Sequence, residues 1–312
     1  MPPTLDSTLA AAPPAAPAAG RLDVLLRILH AVRHPRPGSG RVGPARTAMH
    51  FLRCAAHLDT FRGWLGNPAN PALRAELAAR PGLLTCVVHP YLNSDWTASR
   101  RLEVIGAHYA LLAGRLAWLG APLRLAEAHE GLLLELERPG RFEHEGEATL
   151  HLRCGATDLY AIAFTLGRLD GERVTYVGAL QGLHSPDALD IYRTLTHRLH
   201  GLRPRDLLVT AFRRFVRGLG VTRILAVDDR RRVGSNAYYV SHAQVRTSYD
   251  AVWLECGGVA AADGFYAIGT EPVRRAADAV PARKRALYRR RYAMLDVLDE
   301  RIDAAVAAAS DT

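Results

Sequence analysis

From Leu132 to Val227 the chain switches between two hydrophobic periods in an order that few topologies accommodate. Leu132, Leu134 and Leu136 alternate with Glu135 and Glu137, and Leu150 and Leu152 alternate with His151 and Arg153. Leu159–Leu166 is apolar on both faces, and Val174–Leu180 follows the Asp170-Gly171 turn. A period of two, punctuated by glycine turns, predicts an antiparallel meander. After Gln181-Gly182 the period lengthens. Ser185 caps a helix that Pro186 opens, carrying Ile191, Leu195 and Leu199 until Gly201 breaks it. Pro204 opens a second helix, with Leu208, Phe212 and Val216 on one stripe, which Gly220 stops. Val221–Val227 is then a strand rich in β-branched residues. A strand, a helical crossover and a strand place two parallel neighbours in one sheet.

The flanks are helical. Residues 1–20 form an Ala/Pro tail that reads as disordered. Helices are predicted over 22–32, 46–65 and 71–79, with a Pro/Gly/Arg linker at 35–44. A longer helix is predicted over Thr97–Leu119, with Leu102, Ile105, Tyr109, Leu112 and Leu116 on its apolar face. Two later strands are expected at Ala251–Glu255 and Phe265–Gly269, and a final amphipathic helix at Ala282–Ala308. The fold class is α+β: a helical N-terminal region (21–95), then a mixed sheet flanked by helices (96–312).

Composition narrows the function classes. With 49% hydrophobic and 23% charged residues, the chain has a packed core and is neither disordered nor a coiled coil. No uncharged apolar run reaches the roughly 18 residues of a membrane helix. The N-terminus lacks the basic segment of a secretory signal, so a cytoplasmic location is expected. Cys54, Cys86, Cys154 and Cys256 lie far apart without zinc spacing, so they read as buried reduced thiols, and no metal site is expected. The net charge is +9, yet Lys284 is the only lysine. That arginine bias reflects coding composition as much as a partner. The positive field favours phosphates or an acidic membrane surface, and no nucleic-acid motif is present.

Two stretches carry candidate chemistry. Gly201-Leu202-Arg203-Pro204-Arg205 opens a helix beside a parallel strand, where free N–H groups, a positive dipole end and two guanidiniums would hold a phosphate. Arg283, Lys284, Arg285, Arg289, Arg290 and Arg291 load the start of the last helix with cations, as on a helix lying against an anionic membrane. Two resemblances follow. Gly201–Leu208, the helix, Gly220-Val221, the strand, and Asn236 with Tyr239 resemble the central motif of the GNAT acyltransferase superfamily over about Thr97–Thr270. The superfamily's Gln/Arg-x-x-Gly-x-Gly/Ala turn is only approximated, and an additional helix precedes it. The chain more closely resembles the VirK/YbjX family of bacterial proteins. That rests on Val177–Gly182, Leu199–Pro204, Val233–Asn236 with Tyr239, Trp253-Leu254-Glu255, and Arg283–Tyr292.

The first resemblance implies acyl transfer from a phosphopantetheine thioester, either coenzyme A or acyl carrier protein, with no tightly bound cofactor. Gln181, Gly182, Gly201, Arg203, Arg205 and Asn236 would bind the donor. Tyr239 would protonate the leaving thiolate. Glu255, half-buried at a strand end with a raised pKa, or His184 would be the base. The second resemblance implies an envelope-related acceptor or, alternatively, a non-catalytic accessory protein in envelope remodelling, virulence or cationic-peptide resistance, peripheral at the inner membrane.

Overall fold

A computed structural model of the chain describes residues 20–33, 43–67, 70–112, 122–235, 248–271, 274–276 and 278–309. Four helices open it: α1 (Arg21–Arg33), α2 (Pro44–Ala55), α3 (Leu58–Gly66) and α4 (Pro71–Ala79). The continuous helix expected over 46–65 is broken at residues 56–57. Asn70 caps α4 by accepting from Leu73 N–H at 3.1 Å, and Pro71 occupies the first turn, where a missing N–H costs nothing. Helix α5 (Ala98–Leu112) follows; the expected extension to Leu119 lies outside the described residues.

The sheet has eight strands: β1 (Leu123–His129), β2 (Leu132–Glu137), β3 (Ala148–Cys154), β4 (Thr157–Leu169), β5 (Glu172–Gly182), β6 (Arg223–Val227), β7 (Val259–Ala260) and β8 (Phe265–Gly269). Their order is β1-β2-β3-β4-β5-β6-β8-β7. Helices α6 (Ala188–Arg198) and α7 (Pro204–Gly218) make the crossover between β5 and β6, and only this pair is parallel among the described strands. Helix α8 (Tyr249–Glu255) stands where a strand was expected. Its Val-Trp-Leu run favours a strand, but Tyr249, Val252 and Trp253 are buried at helical spacing and Ser248 caps the turn through Ala251 N–H at 3.2 Å. Helix α9 (Arg285–Ala308) closes the chain.

Consecutive residues of β4 define the two faces. Phe164 packs on Phe212 and Phe215 of α7, while Thr165 meets Tyr91 from the N-terminal side at 2.7 Å. The N-terminal helices therefore cover one face, and α7 with α9 the other. One large apolar cluster runs through both, from Val24 to Val306, and Phe142, Ala161, Ala163 and Ala179 form a smaller one.

A polar knot ties the N-terminal helices to the sheet. The Glu147 carboxylate, fully buried, accepts from Arg80 Nη2 at 2.5 Å and Tyr109 Oη at 2.6 Å. Arg80 also pairs with Glu76, which accepts from Arg138 Nε at 3.1 Å. Burial pulls the Arg80 pKa down, but Glu147, Tyr109 and Glu76 outweigh it and hold the guanidinium well above its ordinary range. His108 accepts from Leu166 N–H at 3.0 Å; burial, aided by Arg80, pushes its pKa down to about 3, so it stays neutral.

Candidate functional site

The Gly201 turn is built for an arginine of α9. His200 and Gly201 both take left-handed φ, 53° and 77°, and Gly201 N–H closes α6 on Thr196 O at 2.8 Å. The His200 carbonyl accepts from Arg291 Nε at 3.1 Å and Nη2 at 2.8 Å. The left-handed φ of Gly201 is what calls for glycine there; a Cβ would also meet Arg291 Nη2 at 2.9 Å, a side-chain end that can shift.

The two arginines that follow are already neutralised. Arg203 donates to Asp206 at 2.7 Å and to Glu255 at 2.8 Å. Arg205 donates to Asp206 at 3.0 Å and pairs with the same Glu255 oxygen. Glu255 sits at the C-terminal end of helix α8, where Arg205 and then Arg203 hold its carboxylate below the ordinary range. This corrects one expectation: Glu255 is an ionised partner of the basic turn, not a base with a raised pKa. The remaining donor-site residues are dispersed. Gln181 pairs with Ala161, and Gly182 pairs with Tyr160 beside the stacked Tyr160–Tyr192 rings. Tyr192 Oη finishes the strand end, accepting from Leu183 N–H at 2.6 Å and donating to Leu159 O at 2.9 Å. His184 is exposed beyond it. Asn236 and Tyr239 lie outside the described residues.

A different constellation forms where β5 and β6 part. Ala163 faces Ala179 while Phe164 faces Val177, so Gly178 is an extra residue, a β-bulge. Any Cβ at Gly178 would collide with the backbone of Glu145. The parallel register ends with Val177 opposite Ala226. Past that point α8 enters the gap. Tyr249 Oη accepts from Leu180 N–H at 3.0 Å, and Trp253 Nε1–H donates to Val227 O at 2.8 Å. Each aromatic satisfies a backbone group that the diverging strands leave free. The Tyr249 proton itself has no acceptor among the described residues. Asp229 fastens this end of α8, accepting from Ser248 Oγ at 2.6 Å and Tyr249 N–H at 2.9 Å; the adjacent Asp228 accepts from Arg231. The Arg232 guanidinium lies 4.9 Å over the Tyr249 ring.

The Glu145 backbone packs against Gly178, and its charge acts on the Tyr249 phenol. Burial raises its carboxyl from 4.5 to about 7, with Glu143 adding to the rise while the Glu145 and His144 N–H groups and Arg141 oppose it. Burial likewise pushes the Tyr249 phenol up to about 12; the Leu180 N–H opposes this, and the Glu145 charge adds to it. A carboxyl near neutrality and a phenol held protonated are the two states that acid–base chemistry uses. The raised Glu145 pKa has a stability consequence. The fold favours the neutral acid, so its contribution is complete below pH 4.5 and is lost as pH rises through about 7. Glu145→Gln should melt with the wild type at pH 5 and several degrees above it at pH 8.5. Parallel melting curves across that range would refute the burial-raised acid.

Of the basic cluster at the start of α9, Arg283, Lys284, Arg289 and Arg290 are exposed. Arg285 donates to Val280 O at 3.3 Å, and Arg291 turns inward to His200 with its guanidinium 4.4 Å over Tyr288.

A family model described as "Protein of unknown function (DUF535)" matches residues 44–304. The chain belongs to the DUF535 family. It is 31% identical over 241 residues to "Uncharacterized protein YbjX" of Escherichia coli K12, covering 73% of each chain. It is 25% identical over 218 residues to an uncharacterized protein of Haemophilus influenzae, covering 68% of this chain and 72% of that one. A protein of Mannheimia haemolytica named "Membrane protein LapB" is 28% identical over 165 residues, 52% of this chain and 72% of its own. The VirK/YbjX resemblance therefore holds at the level of the family. No solved structure matches the DUF535 chain. Among its described residues no helix is long and apolar enough to cross a membrane.

Proposed function

We propose that this DUF535 chain transfers an acyl group from a phosphopantetheine thioester to an envelope-related acceptor at the inner membrane surface. One observation carries the reading. Where the parallel pair parts at Gly178, the Tyr249 hydroxyl donates to no acceptor among the described residues, and the charge of Glu145, whose backbone packs on Gly178 and whose carboxyl is raised to about 7, acts on that phenol. Glu145 would take the proton of the acceptor nucleophile, and Tyr249 would donate to the charge developing on the leaving sulfur. The antiparallel strands, helical crossover and parallel strand agree with the order that the acyltransferase resemblance implies, while the additional helix α6 and helix α8 in place of a strand depart from it. The neutralised Arg203 and Arg205 favour acyl carrier protein as donor, because coenzyme A brings a pyrophosphate that needs free cations. The name of the Mannheimia haemolytica relative supports a membrane setting.

The exposed Arg283, Lys284, Arg289 and Arg290 favour a second reading, a non-catalytic accessory protein held on anionic membrane. One experiment separates the two. Free thiol is measured after adding the protein to acyl carrier protein or acyl-coenzyme A thioesters with an envelope lipid extract. Acceptor-dependent thiol release that Glu145→Gln abolishes, faster with the carrier protein, is expected. No release from either donor, together with salt-sensitive binding to anionic vesicles, would replace catalysis with the accessory role.

A further inference from the structure

On the opposite side of α7 from the sheet lies a cleft of about 200 Å³, between α7, the segment at Arg274 and Arg275, and the first turns of α9. Four guanidiniums line it: Arg213, Arg274, Arg275 and Arg291. Among the described residues only Arg274 has carboxylate partners, Asp296 at 2.6 Å and Asp299 at 3.7 Å. Arg291 gives Nε and Nη2 to the His200 carbonyl, which fixes its plane without neutralising it. Arg275 has no carboxylate partner among the described residues, and its backbone N–H is held by Tyr292 Oη at 2.9 Å.

Arg213 is the deciding residue. It is 7% exposed, yet no carboxylate of the described residues meets it. Its Nη2 donates to Cys256 O and its Nη1 reaches Glu271 O at 3.5 Å, while its Nε is buried with no partner among the described residues. Burial pulls its pKa below the ordinary arginine value. A buried charge is costly unless an opposite charge meets it, and an orphaned buried donor calls for a partner. Tyr288 and Tyr292 hold the surrounding cations in place. Arg291 stacks 4.4 Å over Tyr288, and Arg274 stacks 5.3 Å over Tyr292. Planar guanidiniums fixed around a small cleft match the oxygens of a phosphate better than a single carboxylate, because several can be engaged in pairs.

We propose that the cleft between α7 and α9 is a binding site for a phosphate ester, with Arg213, Arg275 and Arg291 on the phosphate and the tyrosine rings against its carrier. The site is separate from the Gly178 gap and stands without the acyl-transfer reading. Two sources share this chemistry, a phospholipid headgroup and a soluble metabolite. Calorimetry on the full chain tells them apart, with glycerol 3-phosphate as the soluble probe and dihexanoyl phosphatidic acid, below its micelle concentration, as the lipid probe. Saturable binding of at least one probe is expected, at least tenfold weaker in Arg275→Ala, an exposed position whose loss leaves the core intact. Arg213→Gln should show the same loss, with its melting curve recorded as a check on folding. Equal affinities for the two probes point to a soluble ester, and a preference for the lipid points to a headgroup. Absence of binding by either probe, or binding that Arg275→Ala leaves unchanged, would overturn the proposal.

Discussion

Glu147→Ala is expected to destabilise the protein by about 3–5 kcal/mol, the usual cost of removing one partner from a buried ion pair. The carboxylate is fully buried and accepts from Arg80 at 2.5 Å and Tyr109 at 2.6 Å. Its removal leaves Tyr109 Oη with one partner fewer and Arg80 leaning on Glu76 alone for charge. A second cost is specific to this fold. The knot lies between the N-terminal helices and β4, so its loss weakens the docking of one region on the other. Urea unfolding decides the matter: the midpoint should fall with little change in slope if the transition stays cooperative. A shift of less than about 1 kcal/mol would show that the knot merely satisfies its own desolvation. A drop in slope with two transitions would show that the N-terminal helices unfold separately.

Local patterning carried much of this architecture. The helix predicted over 71–79 is α4, Pro71–Ala79, and the alternating leucines are those of β2 and β3. The strand–helix–strand order gave the parallel pair. Strand β1 was missed because its register slips twice against β2, and burial along it loses the period of two. Segment 251–255 was misread because its bulky residues suit a strand, whereas the Ser248 cap and the burial of Tyr249 and Trp253 belong to a helix. The site was less legible for a different reason. Arg203 and Arg205 look like free phosphate donors until Glu255, 52 and 50 residues away, is seen beside them. Glu147 meets Arg80 across 67 residues, and Glu145 is one acidic residue among several until the Gly178 bulge presses against its backbone. Partners at such separations leave no local signal. Gly178 was the one available cue, because a glycine inside an otherwise apolar strand marks a bulge or a close approach.

Tyr249→Phe is expected to lower turnover while leaving donor affinity unchanged. The substitution keeps the ring, which packs 5.6 Å from Trp253, and removes only the hydroxyl. If that hydroxyl donates to the leaving sulfur, turnover with acyl carrier protein should fall by about 10²–10³, as when one preorganised donor is removed from a developing anion. The phenol is held near 12, so it stays protonated throughout the working range and contributes no titration of its own. The pH profile should therefore belong to Glu145, rising through about 7 in both wild type and Tyr249→Phe. Structural damage would look different. Leu180 N–H loses its acceptor in the variant, which costs about 1–3 kcal/mol if water does not replace it. That loss appears as a lower melting temperature and, through misalignment, as weaker donor binding. A fall in turnover at unchanged donor affinity and unchanged pH profile identifies Tyr249 as the donor to the leaving group. Turnover within a factor of three of wild type would remove it from the chemistry and leave the phenol as a bolt that holds α8 in the gap between β5 and β6.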